Sequence, residues 1–382
     1  MTPETPPVGP KLPRLAVAAW AVALVVIAVL GWAVASYLSS DSGMQGHSHS
    51  AGDALYRAGD GPLGPLFGTA LFTAWHLDAV AVAVLVVLAA WYLTGVALVP
   101  VRHPGMRWPW PRTALFIGGL AVCAFATNGS IAVYDQALFT AHMAGHLALV
   151  MVAPALLVAG RPLRLSLVAS RESTRARIER IAGGRIVSFL TAPPVALASY
   201  AAVIVGSHLT GVMDTVMNTT WAGQVEHVVY LVAGCQFFVL IVGAEPIRWQ
   251  LSSPARWLLL AVAMAVDTFT GIVLLQGTRA VDMLPAPDLT VNALTDTRTG
   301  GAIMWVGGDA IMAAIMIVLV LDWLRTAGEV SEGSGWLEQA RRATFAQHTG
   351  SSTPDGTQDE FDEDDAARAS YNEWLASLDR KS

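Results

Sequence analysis

Eight stretches of the chain are almost continuously apolar: 15–38, 69–99, 113–133, 137–160, 186–207, 225–245, 257–277 and 302–324. Each approaches or exceeds the roughly 20 residues that cross a hydrocarbon core. In hydrocarbon every backbone N–H and C=O must find its partner within the protein, so only helices or closed barrels can span it. Barrel strands alternate apolar and polar residues, and these runs do not. The sequence therefore predicts an all-α, polytopic membrane helix bundle with about eight transmembrane helices. Only 14% of residues are charged, well below the roughly 25% of a soluble domain. Outside the tail the charges balance, so the body is not a basic nucleic-acid binder, and it has no large soluble domain.

Positive charge in short loops sets orientation. Loop 100–112 carries Arg102, Arg107 and Arg112; loop 161–185 carries Arg161, Arg164, Arg171, Arg175, Arg177, Arg180 and Arg185; loop 246–256 carries Arg248 and Arg256. With eight spans these loops fall on one side, together with Lys11 and Arg14, and that side is predicted to be cytoplasmic, with both termini inside. The opposite loops hold only Arg57, Arg279 and Arg298. Lys11, Arg14 and the small residues Ala33-Val34-Ala35 also resemble a signal peptide, but the apolar run is longer than a usual signal core. It is read as a retained span.

Three regions follow. Residues 1–68 form an N-terminal anchor and outward loop, 69–325 a helical membrane core, and 326–382 a tail. From residue 325 onward there are six Lys/Arg against twelve Asp/Glu, which leaves 17 of each in the remainder. The net charge of −6 therefore resides in the tail. Its polar stretch, with Asp362-Glu363-Asp364-Asp365, is predicted to be disordered because it has too little apolar surface to bury. Tyr371, Trp374, Leu375 and Leu378 then recur at helical spacing and predict a short amphipathic helix. Cys123 and Cys235 make no CxxC pair, and as mid-span residues they are expected to pack as small apolar groups. In the outward loop, His47 and His49 near Met44 are either a metal-pickup patch or ordinary loop polarity.

The chemistry concentrates in His142-Met143-Ala144-Gly145-His146, inside the apolar run 137–160. Positions i and i+4 share a helix face, with Cβ atoms about 5–6 Å apart, so both imidazoles can reach one metal ion. Polar side chains within a membrane are costly and face the bundle interior. With the orientation above, His76, His142, His146, His208 and His227 all lie toward the extracytoplasmic ends of their spans. His103 and His348 do not. Imidazole and thioether ligate copper, and thioether selects Cu(I). The candidate ligands are His142, Met143 and His146, with His227, His208 and His76 as completions. Asp78, Glu226 and Asp309 are candidates to orient the imidazoles through their second ring nitrogen. Asp267, deep in its span, is expected to be a packing hydrogen-bonder or proton-relay residue. No HExxH, Walker, GxSxG or dinucleotide motif is present, so no enzyme class is indicated.

The run from Phe139 through His142-Met143 and His146 to Ala153-Pro154 and Gly160-Arg161-Pro162 resembles the signature of the CtaG-type cytochrome c oxidase assembly proteins. Tyr92-Leu93-Thr94-Gly95 with Trp108-Pro109, Glu226-His227, and Asp296 through Gly300-Gly301 to Met304-Trp305 agree in order and spacing, over about 70–325. The resemblance implies a membrane factor of the bacterial plasma membrane that matures haem-copper oxidase by handling copper, with oxidase subunits and a copper donor protein as partners in the lipid bilayer. Relatives often carry a histidine where this chain has Gly223. A copper permease, a haem-binding membrane protein and a metal-free assembly scaffold remain open.

Overall fold

The computed structural model describes residues 13–40 and 66–333, except 67, 211, 214–215, 217–219, 244, 282, 284–288 and 290. The loop histidines His47 and His49, the acidic stretch and the terminal amphipathic segment lie outside the described residues. Every regular element among the described residues is helical. The principal helices are α1 Arg14–Ser40, α2 Ala79–Arg102, α3 Trp110–Tyr134, α4 Phe139–Ala169, α5 Pro193–Leu209, α6 Thr220–Val242, α7 Ser253–Leu275 and α8 Ala293–Leu324. Six of the eight, α2, α3, α4, α6, α7 and α8, are long and apolar enough to cross a membrane. The other two apolar stretches, Arg14–Val29 and Pro193–Leu209, are shorter. The chain is thus a multi-pass membrane protein.

Several starts differ from the apolar runs, each for a local reason. Helix α2 begins at Ala79 rather than near 69, because Asp78 caps it. The Asp78 carboxylate accepts from the N–H groups of Val80 and Ala81, satisfying donors that a first turn leaves orphaned. Residues 76–78 are strapped to the end of α3, where Asn128 accepts from the His76 and Asp78 N–H groups at 2.7 and 2.8 Å. Helix α5 begins at Pro193-Pro194, since proline suits the first helical positions. The residues before it form a separate short helix, Arg185–Leu190.

The helices bury polar groups and expose apolar ones, the reverse of a soluble protein. On α6, Val225, Val228, Val229 and Val232 are exposed, while Glu226, Tyr230, Ala233 and Phe237 are buried. The 3–4 spacing assigns one face to lipid and one to the bundle. Helix α4 packs against α3, α6 and α8. Without a hydrophobic drive between helices in lipid, close backbone approach supplies the packing energy, and glycine makes it possible. A Cβ on Gly234 of α6 would collide with the Val150 carbonyl and the Pro154 ring of α4. A Cβ on Gly300 of α8 would collide with Phe139 and crowd Met143. At this contact α4 opens into one π turn, Ala148–Val152. Pro154 lacks an N–H, so the wide turn lies where a regular ladder would break anyway. A second π turn, Ile303–Gly307, interrupts α8. The described residues from Ile317 to Gly333 belong to a second unit and are helical, with Ile317, Val318, Leu321 and Leu324 exposed.

Candidate metal centre

The N-terminal end of α4 is fixed from outside its own chain segment. Leu138 offers no side-chain cap. Asp296 of α8 supplies one instead: its carboxylate accepts from the Phe139 N–H at 2.6 Å, from the Thr140 N–H at 3.3 Å, and from the Thr140 hydroxyl. A carboxylate at a helix N-terminus is also favoured by the helix dipole. One turn further along lie His142 and His146, 1% and 4% exposed, with ring centroids 4.0 Å apart.

Each imidazole has one nitrogen engaged and one left over. His142 donates from Nδ1 to Asp135 Oδ1 at 2.8 Å. On the other ring the tautomer follows from a relay. The Ile204 carbonyl accepts from His208 Nδ1 at 2.8 Å, so His208 Nε2 carries the lone pair. His146 therefore donates from Nδ1 to His208 Nε2, at 3.0 Å, and its own Nε2 presents a lone pair. Tyr230 stacks on the His146 ring, centroid to centroid 4.0 Å, and its hydroxyl meets Ser207 Oγ.

Both free Nε2 atoms face Glu226, which is 7% exposed on α6. His146 Nε2 lies 3.3 Å from Glu226 Oε1, and His142 Nε2 lies 3.9 Å from Oε2. One donor atom from each of the three residues falls within 4.8 Å of the others. His142 Nε2, His146 Nε2 and Glu226 Oε1 are buried without a hydrogen-bond partner. With both Nδ1 protons committed elsewhere, three lone-pair bearers converge on one point. Acceptors cannot satisfy one another, so a shared proton or a cation is needed between them, and these three residues are the ones that could hold a metal ion.

Asp135, just before α4, holds this geometry from behind. Burial alone would raise its carboxyl. The hydrogen bond from His142, with the positive charge that His142, His227 and His146 carry when protonated, pulls it down to about 2. It is an anion at neutral pH and keeps the proton on His142 Nδ1. A carboxylate behind a ligating histidine fixes ring orientation and raises its basicity.

The expected ligands divide accordingly. His142 and His146 meet. His208 joins them, but both of its ring nitrogens are engaged, so it stands behind His146 as an orienting residue. His227 is partly buried beside Glu226 on α6. His76 is exposed, on the strap before α2, among Trp75, Leu77 and Asn128. Met143, next to His142 in sequence, lies against Gly300 of α8. The carboxylates also change roles. Glu226 offers an oxygen to the centre itself rather than orienting a ring. Asp78 caps α2, and Asp309 accepts from the Thr268 hydroxyl. Asp267 accepts from Tyr200 at 2.9 Å, away from the histidines. Sequence reasoning missed Asp135, Tyr230 and the capping role of Asp296. The signal for Asp135 was an acid seven residues before His142, across a helix start.

A family match decides the wider assignment. The family described as cytochrome c oxidase caa3 assembly factors matches residues 90–326, more than half of the chain. The chain belongs to that family. Uncharacterized proteins of Mycobacterium bovis and Mycobacterium tuberculosis are each 28% identical over 267 residues, and one of Mycobacterium leprae is 27% identical over 265. The matches cover 66–67% of this chain but only 40% of each relative, so the chain spans under half the length of the curated relatives it matches. No solved structure matches it. Within this assembly-factor family, the matched region contains all of His142, His146, His208, Glu226, Asp135 and Asp296.

Proposed function

We propose that this assembly factor holds a copper ion between His142, His146 and Glu226 and passes it to a copper-depleted cytochrome c oxidase. Three buried donor atoms without partners, within 4.8 Å of one another, carry this reading. Imidazole nitrogens suit copper in either oxidation state, and the Glu226 carboxylate offsets its charge. Asp135 and His208 keep the Nδ1 protons in place, so both Nε2 lone pairs stay aimed at the ion. The ion is cargo. Transfer requires its ligands to be exchanged one at a time for those of the acceptor. The centre sits at the N-terminal end of α4 and the second turn of α6, so an acceptor needs to penetrate only the end of the bundle.

The arginine-rich loops follow the C-terminal ends of α2, α4 and α6. With the apolar α1 and α5 counted as crossings, the proposal is eight spans with both termini inside, in the bacterial plasma membrane, and the copper centre toward the outer face. Partners would then be an oxidase subunit and an external copper donor. A haem reading cannot use His142 with His146, which project from one helix face; it would need His142 with His227, and a Soret band in the purified protein would decide it.

The test is metal content of detergent-purified protein after anaerobic Cu(I) loading with zinc as competitor. Wild type should retain close to one copper. His142→Ala/His146→Ala should retain none, and cells carrying it should make oxidase deficient in copper while inserting the assembly factor normally. Equal copper in both proteins would overturn the proposal. Retention of zinc in preference to copper would replace the cargo with zinc.

A further inference from the structure

The opposite end of α4 carries a second constellation, independent of the metal centre. Arg161 and Arg164 lie about 28 and 33 Å along the helix from His142, at 1.5 Å per residue. With Arg175, Glu245, Pro246 and Gln250 they line a cavity of about 560 Å³. Glu245 offsets only part of the arginine charge. Its two oxygens accept from the Leu163 and Arg164 backbone N–H groups, each at 2.9 Å, which commits the carboxylate to the start of the short helix Pro162–Ala169 that ends α4 rather than to either guanidinium. Among the described residues, neither the Arg161 nor the Arg164 guanidinium has a hydrogen bond or ion pair. Arg175 is tied to Glu179 at 2.8 Å.

The backbone adds a second sign. Arg161 has φ of 55°, and among the described residues it is the one non-glycine residue with positive φ. The left-handed conformation costs a side-chain-bearing residue roughly 1–2 kcal/mol, and glycine would relieve it. The chain nevertheless has arginine there, between Gly160 and Pro162.

The surroundings indicate where the anion comes from. Helix Glu172–Ala182 and the short helix Arg185–Leu190 follow α4. Between them they expose Ile181, Ile186, Phe189 and Leu190 by 58, 76, 65 and 46%, beside Arg177, Arg180 and Arg185. Exposed apolar side chains interleaved with arginine describe a segment lying at the headgroup level of a bilayer. Basic pockets between helices at that level hold anionic headgroups, and guanidinium forks match phosphate oxygens.

We propose that the cavity lined by Arg161 and Arg164 binds the phosphate of an anionic phospholipid headgroup. The occupant fixes the α4–α6 corner at the end opposite the metal centre. It neutralises two guanidiniums that the protein itself leaves unpaired.

The test measures thermal unfolding and native mass spectra of the full chain in detergent, with added phosphatidylglycerol, phosphatidylcholine or inorganic phosphate. Phosphatidylglycerol should raise the unfolding temperature and remain bound, and phosphatidylcholine should do neither. Arg161→Gly/Arg164→Gln should lose the effect, with apparent affinity falling about fivefold for each guanidinium removed. Arg161→Gly relieves the left-handed strain, so this variant folds, and Arg107→Gln serves as a control that keeps the response. An equal response to inorganic phosphate, abolished by the same substitutions, would retain the anion site but assign it to a soluble phosphate. A phosphatidylglycerol response undiminished in the double variant, or none in wild type, overturns the proposal.

Discussion

Two buried glutamates lie at opposite ends of the same stretch of chain, and they differ in one respect. Glu226, in the second turn of α6, is 7% exposed, and its Oε1 has no hydrogen-bond partner. Glu245, just past the end of α6, is 4% exposed and has both oxygens filled by backbone N–H groups. Burial and residue type are the same. A buried acceptor left unmet costs free energy that a folded chain avoids unless something else fills the need. Glu245 is a structural cap for the last segment of α4. Glu226, in the proposed function, is one side of a cage that a cation would complete. The number of unmet partners, rather than polarity, separates a binding group from a brace.

This contrast can be broken by substitution. Glu245→Ala strips two buried N–H groups of their acceptor and should destabilise the metal-free protein by about 3 kcal/mol, read as a lower unfolding temperature in detergent. A small change there would mean that Glu245 is not a brace. Gly234→Ala places a methyl group against the Val150 carbonyl and should cost about 1–3 kcal/mol. Because it pushes α6 off α4, it should also weaken copper retention, although it touches no ligand. Unaltered retention would show that the centre tolerates a shifted α6.

Asp135→Asn should lower copper affinity about 10- to 100-fold, measured by competition with a chelator, with little change in the metal-free unfolding temperature. The pH dependence sharpens this. The Asp135 carboxyl is held at about 2 in the folded protein. Its contribution is therefore complete above the ordinary carboxylate range and is lost only as pH falls toward that value. Copper release on mild acidification must then come from protonation of the ligands themselves, the imidazoles or Glu226, and the release profile of Asp135→Asn should keep the wild-type midpoint to within the change in affinity. The smallest effect is expected from Glu226→Gln without metal: stability unchanged or raised by up to about 1 kcal/mol, since a neutral amide is cheaper to bury. A large loss would make Glu226 a brace like Glu245.

Much of the fold was legible because lipid imposes a single rule on composition. Runs of apolar residues marked the helices, and the i, i+4 spacing marked His142 and His146 as a pair. Lateral relations were not legible. His76 and His208 sit at similar depth in the sequence reading, yet one is on an exposed strap and the other hydrogen-bonds His146. Met143 adjoins His142 in sequence, but a helix turns about 100° per residue, and its side chain meets α8. Asp135 is hidden because its partnership depends on how the chain turns into α4. Asp296 caps a helix that starts 157 residues earlier, which no local pattern reveals. The start of α2 was misplaced because the residues before Asp78 are as apolar as those after it, and a cap is a single side chain.

The π turn at Ala148–Val152 has one further consequence. A π turn amounts to one extra residue threaded into an α-helix, and it lies between the histidine end of α4 and the arginine end. It therefore works as a phase setting. Removing one residue from this turn would leave a regular α-helix from Phe139 to Ala159, ahead of the left-handed Arg161, and rotate one end by about 100° relative to the other. Either the imidazoles would face Glu226 or the guanidiniums would face Gln250, but not both. The two ends of the molecule are thus kept in register by one surplus amino acid.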